Sequence, residues 1–360
     1  MIRFGPAGIP LSCKGRTLKD GVEDVHTLSL TALEVQMIRS ETAVIYPEEE
    51  DIGLTMKDIE DRLVVEIVRD GEPIIDPNEP IEEDDALVIM ISGVTDSFGE
   101  LYTIGDLARR LDVSLSLHTP YYMDLGSNNE LTDSCMDSIR YSAVVAEALG
   151  ANIVTTNLGL YNPSMDMDEA DENIFNNVAA IMDWWSANGL KPKLGVEITG
   201  KDNIFGSLEQ VLDVCDNIEG VVPVINWPNY YSRSKPGSWG ADEIQSWEIE
   251  DFQYAIEQAS AYNDGKIHTL FSGLEHRNWS DVRLSPIKKG NLKFETLAEC
   301  LIDMKPDITI ISSSPLLEHD AMYMRTIHER ALAKKVGKAI RQKRKEEEAE
   351  ALSAASGESA

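Results

Sequence analysis

The feature that most limits what this chain can become is a regular alternation. Short β-branched runs trade places with longer stretches whose apolar residues recur at helical spacing. Eight runs read as strands: Met1–Phe4, Ala32–Ile38, Leu115–His118, Ile153–Asn157, Leu194–Ile198, Val222–Asn226, Lys266–Phe271 and Ile308–Ser312. The helices expected around them start at Thr17 as N-cap and then cover Phe98–Leu111, Asp133–Leu149, Asp168–Asn188, Ser207–Ile218, Ala241–Tyr262, Phe294–Met304 and His319–Val336. Gly150 follows the third as a C′ glycine would. Strand–helix alternation makes a parallel α/β fold, and eight repeats is the number that closes a (β/α)8 TIM barrel over residues 1–335.

Two segments break the rhythm. Residues 41–98 follow the second strand and far exceed an ordinary βα loop. Ala43–Tyr46, Leu63–Val68, Pro73–Ile75 and Ala86–Ser92 are β-like, and Asp70-Gly71 between apolar runs signals a hairpin. We expect a small β-rich insertion on the active face of the barrel, open to a protein partner. Residues 336–360 pass from basic to acidic to Ala, Ser and Gly, and are expected to be a charged, disordered tail.

Asp and Glu total 63 against 32 Lys and Arg, a net charge of −31. Such a chain repels phosphate backbones unless positive charge is gathered locally; the acidity fits either a high-salt cytoplasm or a partner other than nucleic acid. No run approaches the roughly 20 apolar residues of a membrane span, and Met1–Pro6 lacks the look of a secretory signal. Cys13, Cys135, Cys215 and Cys300 are scattered, with no C-x-x-C pair. That excludes a zinc ribbon and fits small buried residues in a reducing, cytoplasmic compartment.

Barrel chemistry gathers at the C-terminal ends of the strands. Those ends carry Gly5-Pro6-Ala7-Gly8, Glu34 with Gln36, His118, Asn157, Glu197, Asn226 with Asn229, His268, and Ser312-Ser313-Ser314. A polar residue at nearly every strand end predicts a polar cavity at the mouth. His118, Glu197 and His268 are donors of the kind that bind zinc or manganese, and Asp281 follows in a loop able to fold back over the mouth. Buried, hydrogen-bonded core histidines are the competing reading. Tyr121, Tyr122, Trp227, Tyr230 and Tyr231 could stack on a sugar or base or simply pack in the core or rim, and Arg39, Arg233, Lys235, Arg277, Arg283, Lys288 and Lys289 give the mouth some positive charge.

Taken in order, Met1–Gly8, "LEVQMIR" at 33–39, "LHTPYYMDL" at 117–125, "LGVEITGK" at 194–201, "VPVINWPNYYSR" at 222–233, "IHTLFSG" at 267–273 and "ISSSPLLE" at 311–318 resemble the archaeal branch of the endonuclease IV family. The resemblance implies a barrel with a three-zinc cluster that cleaves DNA 5′ to abasic sites, a DNA-repair hydrolase. It implies metal ligation by His118, Glu197 (also catalytic), His268 and Asp281, and substrate binding by Tyr121. Asn157, Asn226, Asn229, Ser313 and Arg283 (or Leu284) fall where that family has histidine or carboxylate. An amide oxygen is a far weaker zinc donor, so fewer than three ions, or none, are expected. We therefore carry Asn157, Asn226, Asn229 and Arg283 as binding residues rather than ligands. Three functions stay open: a metal-dependent phosphodiesterase on abasic DNA, a single-metal isomerase or epimerase of a sugar, and a non-catalytic barrel holding nucleic acid or a small ligand.

Overall fold

The computed structural model describes residues 1–233, 247–278 and 281–357; the side chains of 276–278, 281, 282 and 349–357 lie outside that description. The chain opens with β1 (Ile2–Pro6), α1 (Leu18–Thr27) and β2 (Ala32–Gln36). Thr17 caps α1 through a reciprocal box with Asp20, which satisfies two of the helix's otherwise orphaned amides. Next comes the insertion, with β3 (Glu41–Ile45), β4 (Val64–Arg69), β5 (Glu72–Ile74) and β6 (Ala86–Ile91). The barrel resumes with α2 (Phe98–Arg110), β7 (Ser114–His118), α3 (Glu130–Leu149), β8 (Ile153–Thr156), α4 (Met167–Ala187), β9 (Lys193–Glu197), α5 (Leu208–Asn217) and β10 (Val221–Asn226). It ends with α6 (Trp227–Arg233), α7 (Ile249–Ser260), β11 (Lys266–Phe271), the hairpin β12 (Gly273–Asn278) and β13 (Asp281–Ser285), α8 (Phe294–Met304), β14 (Asp307–Ser312) and α9 (Glu318–Gly357).

Eight parallel strands form one sheet in the order β1-β14-β11-β10-β9-β8-β7-β2. Its two edges meet through the Ala7–Glu34 bridge and the Thr31 N–H to Phe4 carbonyl bond, so the sheet is a nearly closed (β/α)8 barrel. Gly5 makes that closure possible, since a Cβ there would lie 1.8 Å from the Ala32 carbonyl oxygen. Inside, Ala32, Ile153, Val222, Val224, Leu270 and Ile311 form an apolar layer. Side chains alternate between faces of a strand, so this layer fixes which neighbours also point inward. They are Glu34 and Gln36 on β2, Asn226 on β10, and Lys266 and His268 on β11.

The insertion is a four-stranded antiparallel sheet in the order β3-β6-β4-β5. Asp70 and Gly71 link β4 to β5 with φ of 54° and 84°, the paired positive values of a tight hairpin turn. Arg69 ties the acidic loop that follows, meeting Asp85 at 2.8 Å and Glu79 at 2.6 Å. On the barrel side, the buried Glu66 of β4 faces Tyr141 and Asp137 of α3; burial, then the Asp137 charge, push its carboxyl above the ordinary range.

Three expectations need correction. The segment after β11, read as a loop carrying Asp281, is the β12–β13 hairpin. Trp227–Arg233, where no element was expected beyond the strand ending at Asn226, is a short helix. The tail stays helical to Gly357, since Lys, Arg, Glu and Ala are strong helix formers and Lys343–Glu347 pairs at i, i+4. The N-terminal part of the expected Ala241–Tyr262 helix falls on residues outside the description. All four cysteines are free and buried, as expected of small core residues.

Candidate functional site

At the upper end of the barrel, two buried imidazoles meet two buried carboxylates. His118 ends β7 and Glu197 ends β9; the His118 Nε2 lies 2.9 Å from Glu197 Oε2. His268 of β11 sets its Nε2 3.0 Å from Oε2 of Glu34, the middle residue of β2. All four side chains are at least nine-tenths buried. A charge so placed survives only with partners, and each has them.

Glu197 is the most heavily held. Its Oε1 accepts from Asn226 Nδ2 at 2.7 Å and Asn229 Nδ2 at 3.2 Å. Asn229 is brought there by α6, where its backbone N–H also donates to the Asn226 side chain at 3.2 Å. Two amides therefore do for this carboxylate what cations or further imidazoles would do elsewhere. Glu34 Oε1 accepts from Gln36 Nε2 at 2.9 Å. Burial works against a charged Glu34, but the His268 hydrogen bond and the charges of His118 and His268 outweigh it and hold the carboxyl below its usual range.

The surroundings of His118 favour its protonated form. Its Nδ1 lies 2.6 Å from the Thr119 carbonyl, so both ring nitrogens face oxygen acceptors and both must donate. Burial alone would lower its pKa; the hydrogen bond and charge of Glu197, the charge of Glu34 and the Thr119 carbonyl raise it to about 9. Tyr121 lies over the ring, with centroids 4.7 Å apart, and donates its hydroxyl to Gln36 Oε1 at 2.9 Å. Asn157 stands beside it and donates to the Tyr121 carbonyl at 2.8 Å.

Of the residues singled out from the sequence, His118, Glu197, Asn226, Asn229 and Tyr121 thus share one network, with Asn157 at its margin. His268 joins through Glu34, a residue noted at its strand end but not selected. The signal was there: within Ala32-Leu33-Glu34-Val35-Gln36, a carboxylate occupies the same face as Ala32, which is the inside of the barrel. Arg283 is exposed on β13, in register with Glu275, and takes no hydrogen bond in the network. The Asp281 side chain lies outside the described residues, as do Lys235 and the Arg277 side chain. Arg233 is committed to Thr199 and to the carbonyls of Lys201 and Ile204, and Lys288 lies over the Tyr323 ring, so neither is a spare cation.

A metal cluster would ask for a different donor set. Among the described residues, no three His, Cys, Asp or Glu side chains gather as ligands of one ion. The Nε2 atoms of both histidines face carboxylates, and Asn226 and Asn229 turn N–H groups, not oxygens, toward Glu197. Ser313 presents a buried hydroxyl without a partner where a carboxylate would be needed. The described side chains do not fit a multi-metal cluster.

Similar proteins agree on the architecture and divide on what they do. An uncharacterized protein of Methanocaldococcus jannaschii is 27% identical over 238 residues, 62% of this chain and 82% of its own. A D-tagatose 3-epimerase-like protein superposes with a TM-score of 0.60 at 15% identity, covering 93% of this chain and 99% of that one. Endonuclease IV from Thermus thermophilus gives 0.54 at 13% identity, covering 92% and 99%. At such identities the likeness speaks for the fold alone. Residues 92–322 match the family described as xylose isomerase-like TIM barrel, and with the barrel itself in view, this chain belongs to that family.

Proposed function

We propose that the barrel mouth is an acid–base site acting on a sugar-class ligand. The observation that carries this reading is the fixed Glu197 carboxylate, gripped by His118, Asn226 and Asn229, with the Tyr121 ring over His118. A carboxylate held in this way can take a proton from a ligand carbon and return it to that carbon or its neighbour. Here Glu197 is the base that takes and returns the proton, while His118, whose two N–H groups are committed to Glu197 and to the Thr119 carbonyl, orients it and balances its charge. The amides of Asn157, Asn226 and Asn229 and the Gln36 side chain suit a polyhydroxylated, uncharged ligand, for which neutral donors and acceptors are the natural partners. Tyr121 gives such a ring an aromatic face.

The second reading is cleavage of abasic-site DNA, favoured by the seven sequence segments that resemble endonuclease IV and by the correspondence of His118, Glu197 and His268 with that family's strand ends. Zinc or manganese would be the cofactor there, with Asp281 as a further donor. The amide-for-ligand pattern at positions 157, 226 and 229 weighs against it, as does the net charge of −31.

One experiment separates the two. The purified chain is incubated in D2O with a panel of ketoses and, in parallel, with an abasic-site duplex at several salt concentrations. The proposal expects loss of a carbon-bound proton signal from at least one sugar, slowed about 10²-fold or more by Glu197→Gln. Incision of the duplex without proton exchange would instead support the second reading. Neither reaction in any condition would leave a barrel that binds without turnover.

A further inference from the structure

A cavity of about 670 Å3 opens at the opposite end of the barrel, where the strands begin. We propose that it is a second binding site, for the phosphate group of a small phosphorylated molecule. The inference is independent of the chemistry at the mouth.

Barrel interiors are usually filled by layers of branched side chains. Here β7 turns Ser114 and Ser116 inward, and that end is left with space reaching from the rim to His268. The rim is basic. Five lysines and arginines line the cavity against three carboxylates, in a chain where acids outnumber bases 63 to 32. Arg3 is balanced by Asp307 at 3.4 Å. Lys193 and Lys266, the first residues of β9 and β11, have no acidic partner among the described residues. Both lie on strands whose inward faces form this cavity, so their ammonium groups gather around one opening. Beyond them, Ser116 is 4% exposed, and its hydroxyl has no hydrogen-bond partner. A buried hydroxyl facing a polar cavity is a group waiting for an acceptor.

The overall charge does not forbid an anion here. Screening confines the acidic surface's repulsion to about 10 Å at 0.1 M salt, so the nearest cations decide local affinity. The size argues for more than a bare anion: a cavity of this volume falls in the range of small-molecule sites, roughly 300–1,000 Å3. A phosphate monoester with a polar body satisfies the lysines, the Ser116 hydroxyl and the remaining space together.

The test is calorimetric titration of the full chain at constant ionic strength with inorganic phosphate, a hexose phosphate and the same hexose without phosphate. We expect saturable binding of the hexose phosphate, at least tenfold tighter than inorganic phosphate, and none of the free sugar. Lys193→Ala/Lys266→Ala should weaken it at least tenfold with the thermal midpoint of the unliganded protein unchanged, and Ser116→Ala should weaken it less. Equal affinity for inorganic phosphate would overturn the monoester assignment. Absence of saturable binding, or undiminished binding by the double lysine variant, would overturn the site.

Discussion

At Asn226 a single atom decides what Glu197 can hold. The amide nitrogen, 2.7 Å from the carboxylate, donates a proton and asks for no cation. Asn226→Asp would replace that donor with a second negative oxygen in a buried place, a repulsion that only a bound cation or an extra proton relieves. We expect the variant to lose about 2 kcal/mol or more in urea unfolding with chelator present, and to regain most of it on adding zinc; the parent should respond far less. A variant as stable as the parent in chelator would show that the contact between these two side chains does not govern the site. Residues of this kind were partly legible beforehand. His118, Glu197 and His268 could be picked from strand ends because the barrel fixes where chemistry collects. Their pairing could not. Whether His268 faces Glu197 or Glu34 depends on the stagger between β11 and β2, two strands more than two hundred residues apart that are not neighbours in the sheet. No local spacing encodes that.

Elements were easier to read than partners. The eight barrel strands sit within two residues of where β-branched runs placed them, because a strand buried on both faces needs an apolar run whatever its neighbours do. The Asp70-Gly71 turn was equally plain, since few other residues tolerate its backbone. The β12–β13 hairpin was missed because Glu275, His276 and Asn278 look like loop residues, and their pairing with 281–283 depends on register rather than on propensity. The junction between insertion and barrel carries its own prediction. Glu66 is raised by burial and by Asp137, and Asp137 is itself raised, mainly by burial. A folded-state pKa above the unfolded one means a contribution that is present below the unfolded value and lost as pH rises through the folded value. At neutral pH the contact therefore holds charge it would rather shed. Glu66→Gln should raise the thermal midpoint at pH 7.5, and the difference from the parent should shrink on approaching pH 5. A difference that is constant with pH would rule out this account of the junction.

For the whole molecule, the dominant fact is a net charge of −31 on a chain with sequence pI near 4.5. Acidic runs such as Glu48–Glu50 and Glu82–Asp84 sit largely at the surface. Raising ionic strength from 0.1 to 1 M shortens the screening length from about 10 Å to about 3 Å and relieves their mutual repulsion. Circular dichroism melts in increasing KCl should show the midpoint climbing; a falling midpoint would mean that attractive pairs, Arg69 with its acidic loop among them, outweigh the repulsion. No described helix is long and apolar enough to cross a membrane, α9 included.

That last helix has a mechanical consequence. At 1.5 Å per residue, its 40 residues make a rod about 60 Å long, twice the usual width of a small domain. Only its first turns press Ala321, Met324 and Ile327 into the core, while Val336 and Ile340 further along are bare to water. Anything attached at the far end would ride on an outrigger.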